Sequence, residues 1–279
     1  MSTRQAPGRA TRYAAFSPAR IHAMVMRQIY VLASSWPRVL EIVYWPAVSM
    51  LTWGFTQAWV GQQGAGEFTL AASTLLGGVL LWDILVRGGL GFSITFLEEM
   101  WSRNMGNLMM SPLTPLEFVL SLCAMSVIRL MIGLVPVSLI AIVLFGFNVW
   151  ALGLPLLFFF LNLIVLAWAV SLAIAGLVLR HGMGAEGLAW TAIFILMPFS
   201  AVFYPVSVLP EAAQYVAWAL PSSYVFEGMR TLIIDGVFRV DLVVTAAALN
   251  VLYLGAAIVI FLKVLESARV AGSLLSSTD

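Results

Sequence analysis

The chain lacks most of what a soluble enzyme is built from. Its 279 residues include one lysine, one cysteine and two histidines, and only 10% are charged. A soluble domain carries about 25% charged residues, so water cannot be the solvent over most of this surface. The lone cysteine, Cys123, excludes an intramolecular disulfide and says nothing of the redox compartment. The lone lysine, Lys263, has no glycine-rich loop before it. A P-loop needs that lysine after Gly-x-x-x-x-Gly, because backbone amides and the ammonium together cradle the phosphates. Nucleotide binding of that type is therefore excluded within this chain. There is no His-Glu-x-x-His zinc motif, and His22 and His181 fall at the edges of apolar runs, so no metal set and no catalytic residue is assigned. The net charge of +1 points to no nucleic acid. Residues 1–16 lack the apolar core of a signal peptide and read as a flexible cytoplasmic tail, and 270–279 read as a second tail.

What the chain has instead is apolar surface: 62% of its residues are hydrophobic. A span of bilayer takes about 20 apolar residues. Six such runs are expected, near 39–60, 70–95, 116–146, 150–179, 188–208 and 241–264, with Pro46 tolerated in the first and Pro198 and Pro205 kinking the fifth. Residues 17–37 are too polar to cross. At about 100° per residue, Ile21, Val25, Ile29, Leu32 and Trp36 share one face, with Arg20, Arg27, Ser34 and Arg38 opposite. That pattern predicts an interfacial helix whose basic side meets anionic lipid. The fold class is an all-α membrane protein, with one transmembrane domain over 17–269.

Basic residues set the orientation. Arg4, Arg9, Arg12, Arg20, Arg27, Arg38, Arg103, Arg180, Lys263 and Arg269 fall on one side of this layout, and only Arg230 and Arg239 on the other. The positive-inside rule puts both termini in the cytoplasm of a multi-pass inner-membrane protein. Trp36, Trp45, Trp59, Trp101 and Trp150 fall near the interfaces, as aromatic belts do.

Few polar groups lie within the spans. Asp83 and Arg87 are four residues apart and share a face. By depth, Arg129 of the third span comes within reach of them, which predicts an Asp83–Arg87–Arg129 cluster. Asn162 and Asn250 fall near mid-depth and are expected to make interhelical hydrogen bonds.

Two connections are unusual. One, 96–115, reads FLEEMWSRNMGNLMMSPLTP, with Glu98 and Glu99 suited to a helix N-terminus. The other, about 205–240, is apolar for a loop. Within it, Pro210–Leu220 and Ser222–Asp235 are each too short to cross and are separated by Pro221. This reads as a re-entrant helical hairpin over about 209–236.

At these two places the sequence resembles the permease subunits of type-2 ABC exporters. The first likeness is an acidic short helix followed by glycine, leucine and a Ser-Pro pair: Glu98, Glu99, Gly106, Leu108, Ser111 and Pro112. The second is Pro205, Leu209, Pro210, Pro221, Tyr224 and Arg230, with Glu227 between; Ser222 and Ser223 depart from the usual pair there. The resemblance implies that about 96–112, with Trp101 and Arg103, forms a coupling helix that docks on a separate ABC ATPase. It further implies two permeases, expected as a homodimer, and two ATPase subunits that hold ATP and Mg. Glu227 and Arg230 would latch an outer gate. The function implied is ATP-driven export of a hydrophobic or amphipathic substrate, such as a drug, lipid or lipid-linked glycan. The alternative is an ion-coupled secondary transporter, for which Asp83 is the one mid-span carboxylate.

Overall fold

A computed structural model describes residues 16–63 and 67–271. Nearly all of the tail expected at 1–16, and 272–279 of the tail expected at 270–279, lie outside them. Every regular element among the described residues is helical. In order these are α1 (Pro18–Ala33), α2 (Trp36–Gln63), α3 (Glu67–Trp101), the short α4 (Met105–Met110), α5 (Pro115–Phe145), α6 (Leu154–His181), α7 (Leu188–Leu196), α8 (Glu211–Ala219), α9 (Pro221–Asp235) and α10 (Val240–Ala271). Three 3₁₀ turns, Val149–Leu152, Met183–Ala185 and Val206–Val208, lie in the connections.

The helix ends follow local chemistry. Thr114 accepts from the Glu117 amide while Glu117 reaches back to the Thr114 amide, a capping box, and Pro115 supplies a preset φ at the first position. The same helix stops at Gly146, whose φ of 66° is left-handed. Gly236 ends α9 in the same way, with φ 68°.

Among the described residues, four helices are long and apolar enough to cross a membrane: Thr74–Trp101 of α3, α5, α6, and Val240–Ala268 of α10. The α3 helix is the centre of the bundle. Leu80, Leu81, Ile84, Leu85, Phe92 and Phe96 are all buried on it, against α2, α5, α6 and α9. By contrast, α10 packs chiefly on α6 and leaves Val244, Val251, Leu252, Val259 and Ile260 exposed, an apolar face suited to lipid. The α2 helix has 28 residues and passes through Pro46 unbroken. It crosses α5 closely, because a Cβ on Gly133 would stand only 2.9 Å from the Ile42 carbonyl oxygen.

Two expectations need correction. The fifth run, 188–208, is not one helix. The helical part α7 ends at Leu196, turns follow to Tyr204, and a short 3₁₀ turn closes the stretch. Pro198 and Pro205 remove amide donors from this stretch, and nine helical residues span only about 13 Å. Nor is there a single helix over 96–112. Residues 96–101 are the last turns of α3, and α4 is a separate helix of six residues.

Candidate functional site

The charged residues gather at the end of the bundle where α3 stops. Glu99 is fully buried there. Arg27 of α1 donates one nitrogen to both its oxygens, at 2.6 and 2.7 Å, and Asn104 donates at 2.8 Å. Gln28 donates to it as well. Glu98 accepts from Arg129 of α5 at 2.7 Å and lies 3.6 Å from Arg38 of α2. Glu117 is also fully buried; it accepts from the Ser17 amide at 2.7 Å and meets Arg20 at 2.8 Å. Arg20 also donates to the Pro112 carbonyl.

This geometry revises three readings. Glu98 and Glu99 lie in the last turn of α3, not at a helix N-terminus. Carboxylates oppose the dipole there, and the surrounding arginines offset that. On the basic side of α1, Arg20 and Arg27 engage buried carboxylates within the chain, pairings the helical pattern alone did not predict. The third revision concerns Arg129. Asp83 and Arg87 do meet, at 3.3 Å, but Arg129 pairs with Glu98. A Cβ on Gly91 would contact Ser126 and Arg129 directly, so Arg129 sits level with Gly91. Asp83 is then two turns away in one direction and already has Arg87, while Glu98 is two turns away in the other.

The short α4 hangs from this network. Met105 and Leu108 are buried in the core, Gly106 and Ser111 are half-buried, and Arg103, Asn107, Met110 and Pro112 face outward. Trp101 donates its indole N–H to Glu186 at 2.9 Å, tying the end of α3 to the link between α6 and α7. Arg103 has φ 54°, the left-handed conformation that closes α3, and the Asn104 amide caps the Glu99 carbonyl at 3.0 Å.

Beside the network is a cleft of about 340 Å3 between α2, α3, α5 and α7. Arg38, Glu41, Arg87, Glu98 and Arg129 line it, with Trp45, Trp101 and Trp190.

At the opposite end, the expected pair of short helices is present as α8 and α9. Pro210 opens α8, accepting from the Ala213 amide at 2.8 Å, and Pro221 opens α9. Tyr224 donates its hydroxyl to the Trp218 carbonyl at 2.9 Å, holding the two helices together. Glu227 and Arg230 meet at 2.9 Å. Glu227 accepts from the Val206 amide beside Pro205 at 2.7 Å, and Arg230 donates to the carbonyls of Ala201 and Tyr204 at 2.6 and 3.0 Å. Ser222 bonds Ser200 at 2.8 Å, and Ser223 donates to the Phe199 carbonyl at 3.0 Å. Together these groups fix the broken stretch 199–206. Between the two ends, Asn250 donates to the backbone and side-chain oxygens of Asn162 at 2.9 and 3.0 Å.

Sequence reasoning passed over Glu117, Gln28, Asn104 and Glu186. Glu117 had a signal, since Thr-Pro-Leu-Glu before an apolar run is a capping-box pattern. The others carry none.

Long apolar helices, charges gathered mainly at helix ends and beside one cleft, and a helical pair pinned at the far end fit a multi-pass membrane protein. Residues 21–234 match the ABC-2 type transporter family, and the chain belongs to that family. It is an ABC transporter permease, a membrane component that works with an ABC ATPase subunit. No curated protein matches the chain.

Proposed function

We propose that the chain is the membrane subunit of an ATP-driven exporter that moves a hydrophobic or amphipathic substrate outward, powered by two separate ATPase subunits holding ATP and Mg. In this reading the chain crosses the membrane six times: α2, α3, α5, α6, the broken stretch 188–208 and α10. The α8–α9 pair is a re-entrant hairpin on the outer side, with Glu227 and Arg230 as its latch. Both termini and α4 are cytoplasmic, and a second copy of the chain completes the pathway.

The observation that carries the reading is how α4 is mounted. Its apolar side is buried through Met105 and Leu108, and Asn104 links it to Glu99, which in turn holds Arg27. A push on its outward residues Arg103, Asn107 and Met110 is therefore transmitted to α3 and α1 together. A helix so placed suits contact with a moving soluble partner.

The test is substrate transport in sealed vesicles holding this chain and its P-loop ATPase. ATP should drive it, and Arg103→Glu with Met110→Glu should lower it at least about tenfold, the effect of about 1.4 kcal/mol, without changing the thermal midpoint. Transport driven by a proton gradient without ATP would establish the ion-coupled alternative instead.

A further inference from the structure

We propose that the charged cleft beside the network binds the phosphate-bearing headgroup of an amphipathic lipid, a proposal that names the substrate class of the exporter just described and rests on that reading. Three guanidiniums line the cleft, from Arg38, Arg87 and Arg129, against two carboxylates, Glu41 and Glu98. The carboxylates are not equivalent. Glu98 is already bridged by Arg129 and Arg38, and Glu41 is exposed.

The cations, in contrast, have donors to spare. Arg129 lines the cleft with a guanidinium that only Glu98 engages among the described residues. Arg87 holds Asp83 through Nε alone. Its two terminal nitrogens make no hydrogen bond among the described residues. A planar fork with free donors, taken out of water, matches a phosphate oxygen pair better than any neutral group. Charges at such depth generally mark a substrate path, because keeping them there is costly.

The rest of the cleft fits the remainder of a lipid. Leu32, Ile42, Leu90 and Ile94 supply apolar wall. Trp45, Trp101 and Trp190 line the same cleft and are about half exposed, as amphipathic rings are at a membrane boundary. A free inorganic anion would need none of these. A neutral drug would leave the spare guanidinium donors unanswered.

Equilibrium binding to the full-length chain in neutral maltoside micelles, without ATP or ATPase, tests this. The probes are radiolabelled dioctanoyl phosphatidic acid, dioctanoylglycerol and inorganic phosphate. Phosphatidic acid should bind saturably and at least about tenfold more tightly than dioctanoylglycerol, as charge-assisted bonds require. Arg87→Lys keeps the charge but loses the fork and should weaken it about fivefold. Arg38 is half-exposed and loosely bridged, so Arg38→Gln should fold normally and weaken binding about threefold. Equal affinity for the two lipids, or unchanged binding in both variants, would overturn the proposal. Displacement of the lipid by equimolar inorganic phosphate would assign the cleft to a free anion and overturn it too. Because no ATP is present, a negative result leaves ATP-driven export standing. Failure of ATP-driven export likewise leaves a positive binding result standing.

Discussion

The guanidinium of Arg27 grips both carboxylate oxygens of Glu99 from 72 residues away, bolting the first helix to the end of the central one. The two partners differ in exposure: the Glu99 side chain is fully buried and that of Arg27 is 41% exposed. Losing the arginine therefore strands a buried charge, while losing the charge on Glu99 frees an arginine that water can reach. Breaking a buried pair costs about 3–5 kcal/mol. Here Gln28 and Asn104 still donate to Glu99, which puts Arg27→Ala nearer about 2–3 kcal/mol. Glu99→Gln should cost less, about 1 kcal/mol. Thermal unfolding in detergent should rank the midpoints wild type, Glu99→Gln, Arg27→Ala. The reverse order would mean the bolt is not held by this charge.

The Asn250–Asn162 contact is asymmetric. Asn250 donates to the side-chain oxygen of Asn162 and to its backbone carbonyl, while Asn162 donates only to Phe158 one turn earlier. Asn162→Ala removes one acceptor and leaves the carbonyl in place. Asn250→Ala removes the donor to both. Interhelical bonds of this kind are worth about 0.6–2 kcal/mol in a membrane. The α6–α10 pairing should thus weaken more in Asn250→Ala than in Asn162→Ala, by about 0.5–1 kcal/mol. Equal midpoints for the two variants would contradict the geometry.

Close backbone approach limits what α3 tolerates on its surface. A Cβ on Gly78 would stand 2.8 Å from the Val202 carbonyl oxygen, where α3 passes the turn after α7. The obstacle is backbone, held in place by Arg230 at Ala201 and Tyr204, so it cannot swing aside as a side chain would. Gly78→Ala should cost about 1–3 kcal/mol, the usual range for forcing an extra methyl into a packed site. Gly255, which meets no atom within 4 Å of an added Cβ, is the control. Gly255→Ala should be neutral or slightly stabilising, because alanine favours a helix interior by about 1 kcal/mol. Thermal midpoints of the two variants, measured side by side, check the difference.

Much of this architecture was legible because membrane helices must satisfy their own backbones, and long apolar runs leave few alternatives. The ends were legible where capping residues mark them, as at Pro210, Pro221 and Gly236. What the sequence hid depended on stagger between helices. Arg129 lies within reach of carboxylates in both directions along α3, and only its packing level with Gly91 selects Glu98. The same limit applied to Glu98 and Glu99. A pair of carboxylates marks a helix start by its dipole preference, and only tertiary partners reveal that these two end one. Pro198 was correctly suspect, but a kink and a break look alike in sequence. The difference is set by whether other groups take up the freed carbonyls, and Arg230 and Tyr204 do so at Ala201, Tyr204 and Pro198.

The end of α3 carries a strained residue. Arg103 holds a φ of 54° where the helix closes, a conformation most helices give to glycine. A left-handed residue other than glycine costs about 1–2 kcal/mol. Arg103→Gly relieves that strain while adding unfolded-state freedom, which returns part of the gain. The net expectation is a chain more stable by about 0.5–1 kcal/mol. If the side chain served folding, no gain would follow, because its contacts would be lost with it. Arg103 is exposed instead, just before α4. Its retention at a strained site is best explained by a contact made outside this chain. Arg103→Gly should therefore raise the thermal midpoint while lowering ATP-driven transport. A variant that is both more stable and fully active would remove Arg103 from the ATPase contact.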